Sequence, residues 1–344
     1  MQPRRSRGGR LRRARVIAFA TLLGVIALAC AENAPQDTLD PAGEYARDPD
    51  RLWDLVFAIA VVIFVIVEGV LVYAVLKFRH KPERHAAQFH GNTKLEVVLV
   101  AIPAVILAGI SIPTVSQIFS LAEEPPGDYL EVTVQGRQFW WRYDYPGLGV
   151  VTANELHIPV GEDVRVRLDG YDVNHSFWVP RLAGAEDIVP GRTNFIRMKA
   201  DEPGVYYGQC KEFCGLSHSR MRIKVFAQEQ EDFDQWVEEQ LAEAEPPSGA
   251  AAEGAEIFAN TCTACHAVAG TDAAPADDSA LAGPNLTHFA SRTTFAGAIF
   301  ENNAENLRNW IDNPPAMKPG STMPDYGLSG EEIDAVVTYL QTLE

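Results

Sequence analysis

Cysteine is scarce in this chain, five residues in 344, and methionine is equally rare. Thiols and thioethers that fall close together against that background are not accidents of composition. Basic charge is also in deficit, with 29 Lys and Arg against 46 Asp and Glu. The resulting formal charge of −17 argues against a nucleic-acid partner, which needs a positive surface to meet phosphate. No internal repeat is present, which sets aside solenoid and propeller architectures.

Two clusters break the scarcity. Cys210, Glu212, Cys214, His218 and Met221 read as C-x-E-x-C-x3-H-x2-M. Thiolate and thioether sulfur select copper or iron–sulfur clusters, and imidazole suits copper, so the mixed set points to a soft metal. Zinc is the rival, but closed zinc sites draw on Cys and His and have no use for a Met three residues beyond the last His. A second imidazole is available at His175, in a strand-like stretch upstream. A disulfide between Cys210 and Cys214 is the other reading of the thiols, and it leaves His218 and Met221 without a role.

The segment 206–221 resembles the binuclear copper centre, CuA, of cytochrome c oxidase subunit II. The resemblance implies that Cys210 and Cys214 bridge two coppers, that His175 and His218 bind one each, that Met221 is a weak ligand, and that the main-chain oxygen of Glu212 completes the set. It also implies that the Glu212 carboxylate binds a magnesium ion shared with subunit I. That the centre is binuclear is an implication of the family alone.

The second cluster is Cys262-x-x-Cys265-His266, the C-x-x-C-H signature of a covalently attached c-type haem with His266 as proximal ligand. A thioredoxin-like pair is a poorer match, given the adjacent His and the helical pattern around it. The sixth ligand is expected to be a downstream Met, because Met/His ligation suits electron transfer. Met317 and Met323 are the candidates, and the loop holding Met323 just before the last helix resembles that of small cytochromes c. The Gly283-Pro284-Asn285-Leu286 stretch resembles the haem-edge loop of the same family, where the Pro packs near the proximal His.

The fifth cysteine, Cys30, follows seven arginines and an apolar run over 16–29, the pattern of a secretory signal. Residues 26–30 resemble a bacterial lipoprotein cleavage site, so lipidation at Cys30 and plain signal cleavage both stay open. Removing the seven arginines with the signal would take the charge to −24, which suits steering of a basic soluble donor.

Residues 55–76 and 95–119 are long and apolar enough to cross a bilayer. The loop between them is basic (Lys77, Arg79, Lys81, Arg84, Lys94), whereas the stretch before the first span is acidic. The positive-inside rule puts that loop in the cytoplasm and both ends outside, as a cleaved signal also requires. Buried helices of a soluble protein are the competing reading. Glu96 opens the second span; in the oxidase family a Glu there stands at the mouth of a proton path into subunit I, while an interfacial carboxylate reaching water is the simpler account. Glu68 has no counterpart in that family.

From 129 to 226 the chain alternates with period two, as in Leu130-Glu131-Val132-Thr133-Val134, between Gly, Pro and Asp clusters. This predicts a small antiparallel sandwich with the copper loop between its last strands, and the resemblance implies a cupredoxin-like fold. Residues 138–145 resemble the family's aromatic cluster, expected on an exterior loop, with Phe139, Trp140 and Trp141 as the place where electrons arrive or pass. Alternate rings in a core are the other reading. The first ring is usually Trp and is Phe139 here, a departure that a tethered donor would tolerate. An amphipathic stretch over 229–241 is expected to pack back on the barrel, and the Pro/Gly/Ala-rich 243–250 to act as a linker that lets two domains move.

The expected architecture is therefore a multidomain membrane protein: signal peptide 1–29, external segment 30–54, two-helix transmembrane hairpin 55–119, all-β cupredoxin-like CuA sandwich 128–227, helix and linker 229–252, and all-α class I cytochrome c domain 253–344. The resemblance implies the electron-input subunit of a haem-copper terminal oxidase, coupled to proton pumping. Its partners would be subunits I and III and an external donor, either a cytochrome bc complex or a soluble cytochrome c. It would reside in a bacterial cell membrane with the copper and haem domains on the outer face. Two other functions compete: the CuA-bearing input subunit of a nitric oxide reductase, and a membrane-tethered copper-binding or assembly protein.

Overall fold

The structure is a computed structural model that describes residues 17–19, 21, 24, 34–79, 91–271 and 281–344. Most of the signal region, including Cys30 and its cleavage site, lies outside the described residues, as do residues 80–90 of the basic loop.

Two long helices carry the apolar runs, α1 (Glu44–Lys77) and α2 (Thr93–Ala122). None of the most apolar stretch of either is buried, and Phe64, Val65, Val100 and Ile112 are each more than half exposed. Water would not tolerate so large a continuous apolar surface, so these helices belong in lipid rather than in a soluble core. Helix α1 starts well before the apolar run, and its first turn docks on the β domain. Tyr45 and Ala46 are buried there, and position 43 must be Gly because a Cβ would lie 1.9 Å from the Lys199 carbonyl oxygen. The preceding chain is tied in as well: Ala42 N–H donates to the Arg181 carbonyl at 2.7 Å, and its own carbonyl accepts from Asp201 N–H at 2.9 Å. Arg197 then joins both helices to the sandwich, donating to the Tyr45 hydroxyl and the Ser120 carbonyl.

The sandwich comprises β1 (Leu130–Arg137), β2 (Trp140–Tyr145), β3 (Val150–Ala153), β4 (Glu155–Pro159), β5 (Val164–Gly170), β6 (His175–Trp178), β7 (Ala185–Ile188), β8 (Thr193–Met198), β9 (Gly204–Gln209) and β10 (Arg222–Gln228). One sheet has the order β3-β2-β1-β5-β8, a second β4-β10-β9, and β6-β7 forms a separate ribbon. The sheets are mixed rather than antiparallel as expected: β1 runs parallel to β5, and β4 parallel to β10. Alternation along a strand reports which face is buried but not the direction of the neighbour. Here the chain leaves β1, passes through β2–β4, and lays β5 beside β1 in the same sense. Val132, Val134, Val166, Leu156, Ile158 and Val225 fill the space between the sheets. Helix α3 (Gln230–Gln240) packs back on this core through Phe233 and Trp236.

The C-terminal domain is built from α4 (Ala250–Thr261), α5 (Ala304–Asp312), the short α6 (Pro314–Met317) and α7 (Gly330–Leu340). A ladder of two residues per strand, β11 (Thr294–Phe295) with β12 (Phe300–Glu301), is its one non-helical element among the described residues. A reciprocal capping box between Ser329 and Glu332 starts α7. Helices α4 and α7 cross closely at Gly254, where a Cβ would lie 1.9 Å from the Ala335 carbonyl oxygen.

The segment 243–250, read as a linker, is mostly exposed and is tied at Ala244. Ala244 N–H donates to the Ala269 carbonyl at 3.2 Å, His288 Nε2 meets the Gln240 carbonyl at 3.0 Å, and α4 already begins at Ala250. Composition registers how freely a segment bends on its own, not the tertiary bonds that hold it.

Candidate functional site

The connection between β9 and β10 folds Cys210, Cys214, His218 and Met221 into one tight loop, and β6 brings in His175 from the other side. The Cys210 and Cys214 sulfurs are 3.8 Å apart, far beyond the roughly 2.05 Å of a disulfide. Around that pair, His175 Nδ1 lies 3.8 Å from Cys210 Sγ, His218 Nδ1 3.7 Å from Cys214 Sγ, and Met221 Sδ 3.9 Å from Cys214 Sγ. The Glu212 carbonyl oxygen is 3.2 Å from Cys210 Sγ. Ligand bonds of about 2.0–2.3 Å at tetrahedral angles separate donors by about 3.5–3.8 Å. The donors are therefore spaced as ligands of shared metal, and their softness suits copper. The hydrogen bond with Cys214 first, then that with His175, draws Cys210 down to about 4, while the same bond and burial push Cys214 up.

Asp172, to which the sequence reading gave no role, fixes the ring of His175. Its Oδ1 accepts from His175 Nε2 at 2.8 Å, and the carboxylate also takes the backbone N–H groups of Gln138 and Val173. Burial alone would raise the Asp172 pKa, but these hydrogen bonds outweigh it and hold the carboxyl below its ordinary value. For His175 the balance also tips against burial: Asp172 and the Cys210 sulfur raise its pKa. A carboxylate behind a ligating imidazole orients the ring and makes its other nitrogen a better donor. Gly136 completes the seat, because a Cβ there would come within 2.8 Å of the His175 ring.

The aromatic cluster is not on an exterior loop. Trp140 and Trp141 are strand residues of β2, and Phe139, Trp140 and Trp141 are 5 %, 8 % and 0 % exposed. Trp141 lies edge-on to His175 with centroids 6.0 Å apart. The Phe139 ring passes beside Gly215, next to Cys214, and on its other side meets Gly320 of the C-terminal domain. Phe139 and Trp140 face the C-terminal domain, a contact that local pattern does not report, whereas Trp141 is buried in the core of the sandwich itself.

A cleft in the C-terminal domain is lined by Cys262, Cys265, His266 and Met323, and by Gln138, Phe139, Trp140 and Asn154 from the sandwich. Met317 is not among its lining residues; its carbonyl accepts from Arg220 Nη1 at 2.7 Å. His266 Nδ1 donates to the Pro284 carbonyl at 2.8 Å, which leaves Nε2 as the nitrogen available to a ligand in the cleft. Burial lowers the pKa of His266, which favours the neutral ring. A Cβ at Gly283 would lie 2.5 Å from His266 Cε1, so that backbone cradles the imidazole. Arg292 lines the same cleft with its Nε buried and without a hydrogen-bond partner, a fit for an acidic substituent of a porphyrin.

Glu96 stands apart, in the first turn of α2, where its carboxylate accepts from Asn92 N–H at 3.2 Å while Asn92 Oδ1 accepts from Leu95 N–H at 3.3 Å. It helps cap the helix. The carboxylate of Glu212 points into solvent from the copper loop, since the residue is exposed.

A sandwich joined to two membrane-spanning helices, with a soft-donor metal centre and abutting a helical domain with a C-x-x-C-H cleft, defines a membrane protein that moves single electrons between two prosthetic groups. Family models agree: "Cytochrome C oxidase subunit II, transmembrane domain" matches residues 33–116, "Cytochrome C oxidase subunit II, periplasmic domain" residues 148–228, and "Cytochrome c" residues 251–344. Cytochrome c oxidase subunit 2 of Alkalihalophilus pseudofirmus is 40% identical over 89% of this chain and 90% of its own length. That of Bacillus subtilis is 33% identical over 89% and 91%. The solved periplasmic domain of the Bradyrhizobium japonicum subunit is 33% identical, covers 33% of this chain and 95% of its own, and has a TM-score of 0.33. The chain belongs to the cytochrome c oxidase subunit 2 family. It is the CuA-bearing electron-input subunit of a haem-copper terminal oxidase, with a cytochrome c domain on the same polypeptide and subunit I as its partner. This membership sets aside the nitric oxide reductase and copper-assembly readings.

Proposed function

We propose that Cys210, Cys214, His175, His218, Met221 and the main-chain oxygen of Glu212 hold the two coppers, and that Cys262, Cys265, His266 and Met323 hold the haem. When bound, these groups supply one-electron carriers, reduced from outside through the haem and drained into subunit I from the copper pair. The spacing of three donors, on His175, His218 and Met221, at 3.7–3.9 Å from the Cys210 and Cys214 sulfurs, themselves 3.8 Å apart, is the observation that carries this assignment. Asp172 orients His175, Pro284 orients His266, and Arg292 meets a haem propionate. Phe139, Trp140 and Trp141 fill the space between the cleft and the copper loop and exclude water from it. A dry, rigid path keeps reorganisation small.

The remaining assignments rest on the family resemblance together with position. The exposed Glu212 carboxylate is placed to bind magnesium at the boundary with subunit I. Glu96, at the cytoplasmic end of α2, opens a proton path into subunit I in addition to capping its helix. The copper and haem domains lie on the outer face, subunit III joins the complex, and the donor is a cytochrome bc complex or a soluble cytochrome c.

Metal analysis, near-infrared absorption and electron spin resonance of the purified chain test the central assignment. Two coppers with shared valence and one covalent, Met/His-ligated haem per chain are expected. Zinc, or a single copper with localised valence, refutes it.

A further inference from the structure

The sandwich and the C-terminal domain meet over the aromatic face, and each sends one buried polar side chain into the other. Lys318, 2 % exposed, donates from Nζ to the Phe139 carbonyl and to the Ala296 carbonyl, both at 2.6 Å. Glu155, 3 % exposed, reaches the other way and accepts from Thr293 N–H at 3.1 Å, from the Thr293 hydroxyl, and from the Thr294 hydroxyl at 2.6 Å. A buried polar group is tolerated only when its hydrogen bonds are made in good geometry. Two such residues, pointing in opposite directions across one contact, therefore admit a single arrangement of the domains and penalise any sliding.

The backbone around them is shaped for the same pose. Gly297 and Gly320 hold φ of +77° and +81°, and a Cβ on them would lie 2.6 Å from the Phe139 carbonyl oxygen and 3.1 Å from the Phe139 ring. The cytochrome chain thus lies directly on Phe139 where any side chain would intervene. Ser217 and Arg220, in the copper loop itself, donate to the carbonyls of Pro319 and Met317 at 2.6 and 2.7 Å, and Arg222 N–H donates to the Gly297 carbonyl at 2.9 Å. The segment that carries Met323 is thereby bonded to the segment that carries His218 and Met221.

We propose that Lys318 and Glu155 are positioning residues that lock the cytochrome domain onto the copper domain over Phe139, so that transfer from haem to copper takes place in one standing pose without a docking search. This rests on the ligand assignment above. The measurement is flash reduction of the haem in the assembled oxidase, with the rate of copper reduction followed in buffers of increasing glycerol and salt. A rate that is level in both is expected for the native protein, because nothing has to diffuse. A native rate that falls in proportion to viscosity overturns the proposal whatever any variant does.

Lys318→Met and Glu155→Gln should each slow haem-to-copper transfer tenfold or more and make it viscosity-dependent, while the Soret band, the near-infrared copper band and both midpoint potentials stay in place. A merely structural role would shift those bands or potentials along with the rate. Unchanged rates in both variants, with both centres intact, also overturn the proposal. Missing copper or haem spectra in the native protein would refute the ligand assignment instead, so the two failures are distinguishable.

Discussion

Asp172 illustrates how much of a metal site lies one bond beyond its ligands. The ring of His175 is fully buried and could rotate only by breaking the 2.8 Å bond to Asp172, which is itself anchored by two backbone N–H groups. Replacing it with Asn keeps the shape but removes the charge that makes the imidazole a strong donor. Asp172→Asn is expected to lower copper affinity about 10- to 100-fold, measured by chelator competition, with the cytochrome domain unaffected. A second residue works through its proton. His157 is stacked between Phe226 and Trp236, at 4.8 and 4.3 Å, and burial lowers its pKa from about 6.5 to about 4, despite the opposing bond to Gln228. Between those two values the unfolded chain binds more protons than the folded one, so folding stability rises with pH across the window and is lost as pH falls from 6.5 toward 4. The full effect is at most about 3 kcal/mol. His157→Phe keeps the stack and should flatten that part of the acid limb in thermal unfolding followed by tryptophan fluorescence; an unaltered limb would assign the loss to other groups.

At the scale of elements, what was legible followed from local signals. The period-3.6 apolar face of α3, the capping box of α7 and the long apolar runs of α1 and α2 are each written in neighbouring residues, and each forms as read. The ligand loop was legible for the same reason, since four donors lie within one turn of chain between β9 and β10. Strand direction was not, because parallel pairing of β1 with β5 is decided by where the intervening strands go. The burial of Trp140 and the bond that ties Ala244 to Ala269 were invisible too, as both depend on surfaces brought together from far apart in the chain. Glycine can carry such information without declaring it. Gly254 looks like a helix-weakening residue in α4, yet it is the point where α7 crosses with no room for a methyl group. Gly254→Ala raises helix propensity but forces the helices apart, at a cost of about 1–3 kcal/mol. In a domain of this size that corresponds to a loss of several degrees in Tm, read from the Soret band on heating, while the copper band persists. A rise in Tm would show that propensity outweighs the crossing.

For the whole molecule, fusing donor and acceptor on one chain divides electron delivery into an internal step and an external one governed by different physics. The internal step runs across a buried contact whose polar anchors, Lys318 and Glu155, are held by fixed hydrogen bonds and lie out of reach of mobile ions. With a soluble cytochrome c as the donor proposed above, the external step brings it from solution to a chain of net charge −17. Surface fields of that sign steer a basic partner inward, and they fade as the Debye length shrinks from about 30 Å at 0.01 M salt to about 8 Å at 0.15 M. With a basic soluble cytochrome c as donor, kcat/KM for the assembled oxidase should therefore fall by about tenfold or more across that range, while kcat holds level. Steady-state oxidation at varied salt separates the two. If kcat fell with kcat/KM, the internal contact would be screened as well, and the domains would have to meet afresh at each turnover; if neither fell, the soluble donor would be reaching the haem without help from the acidic surface.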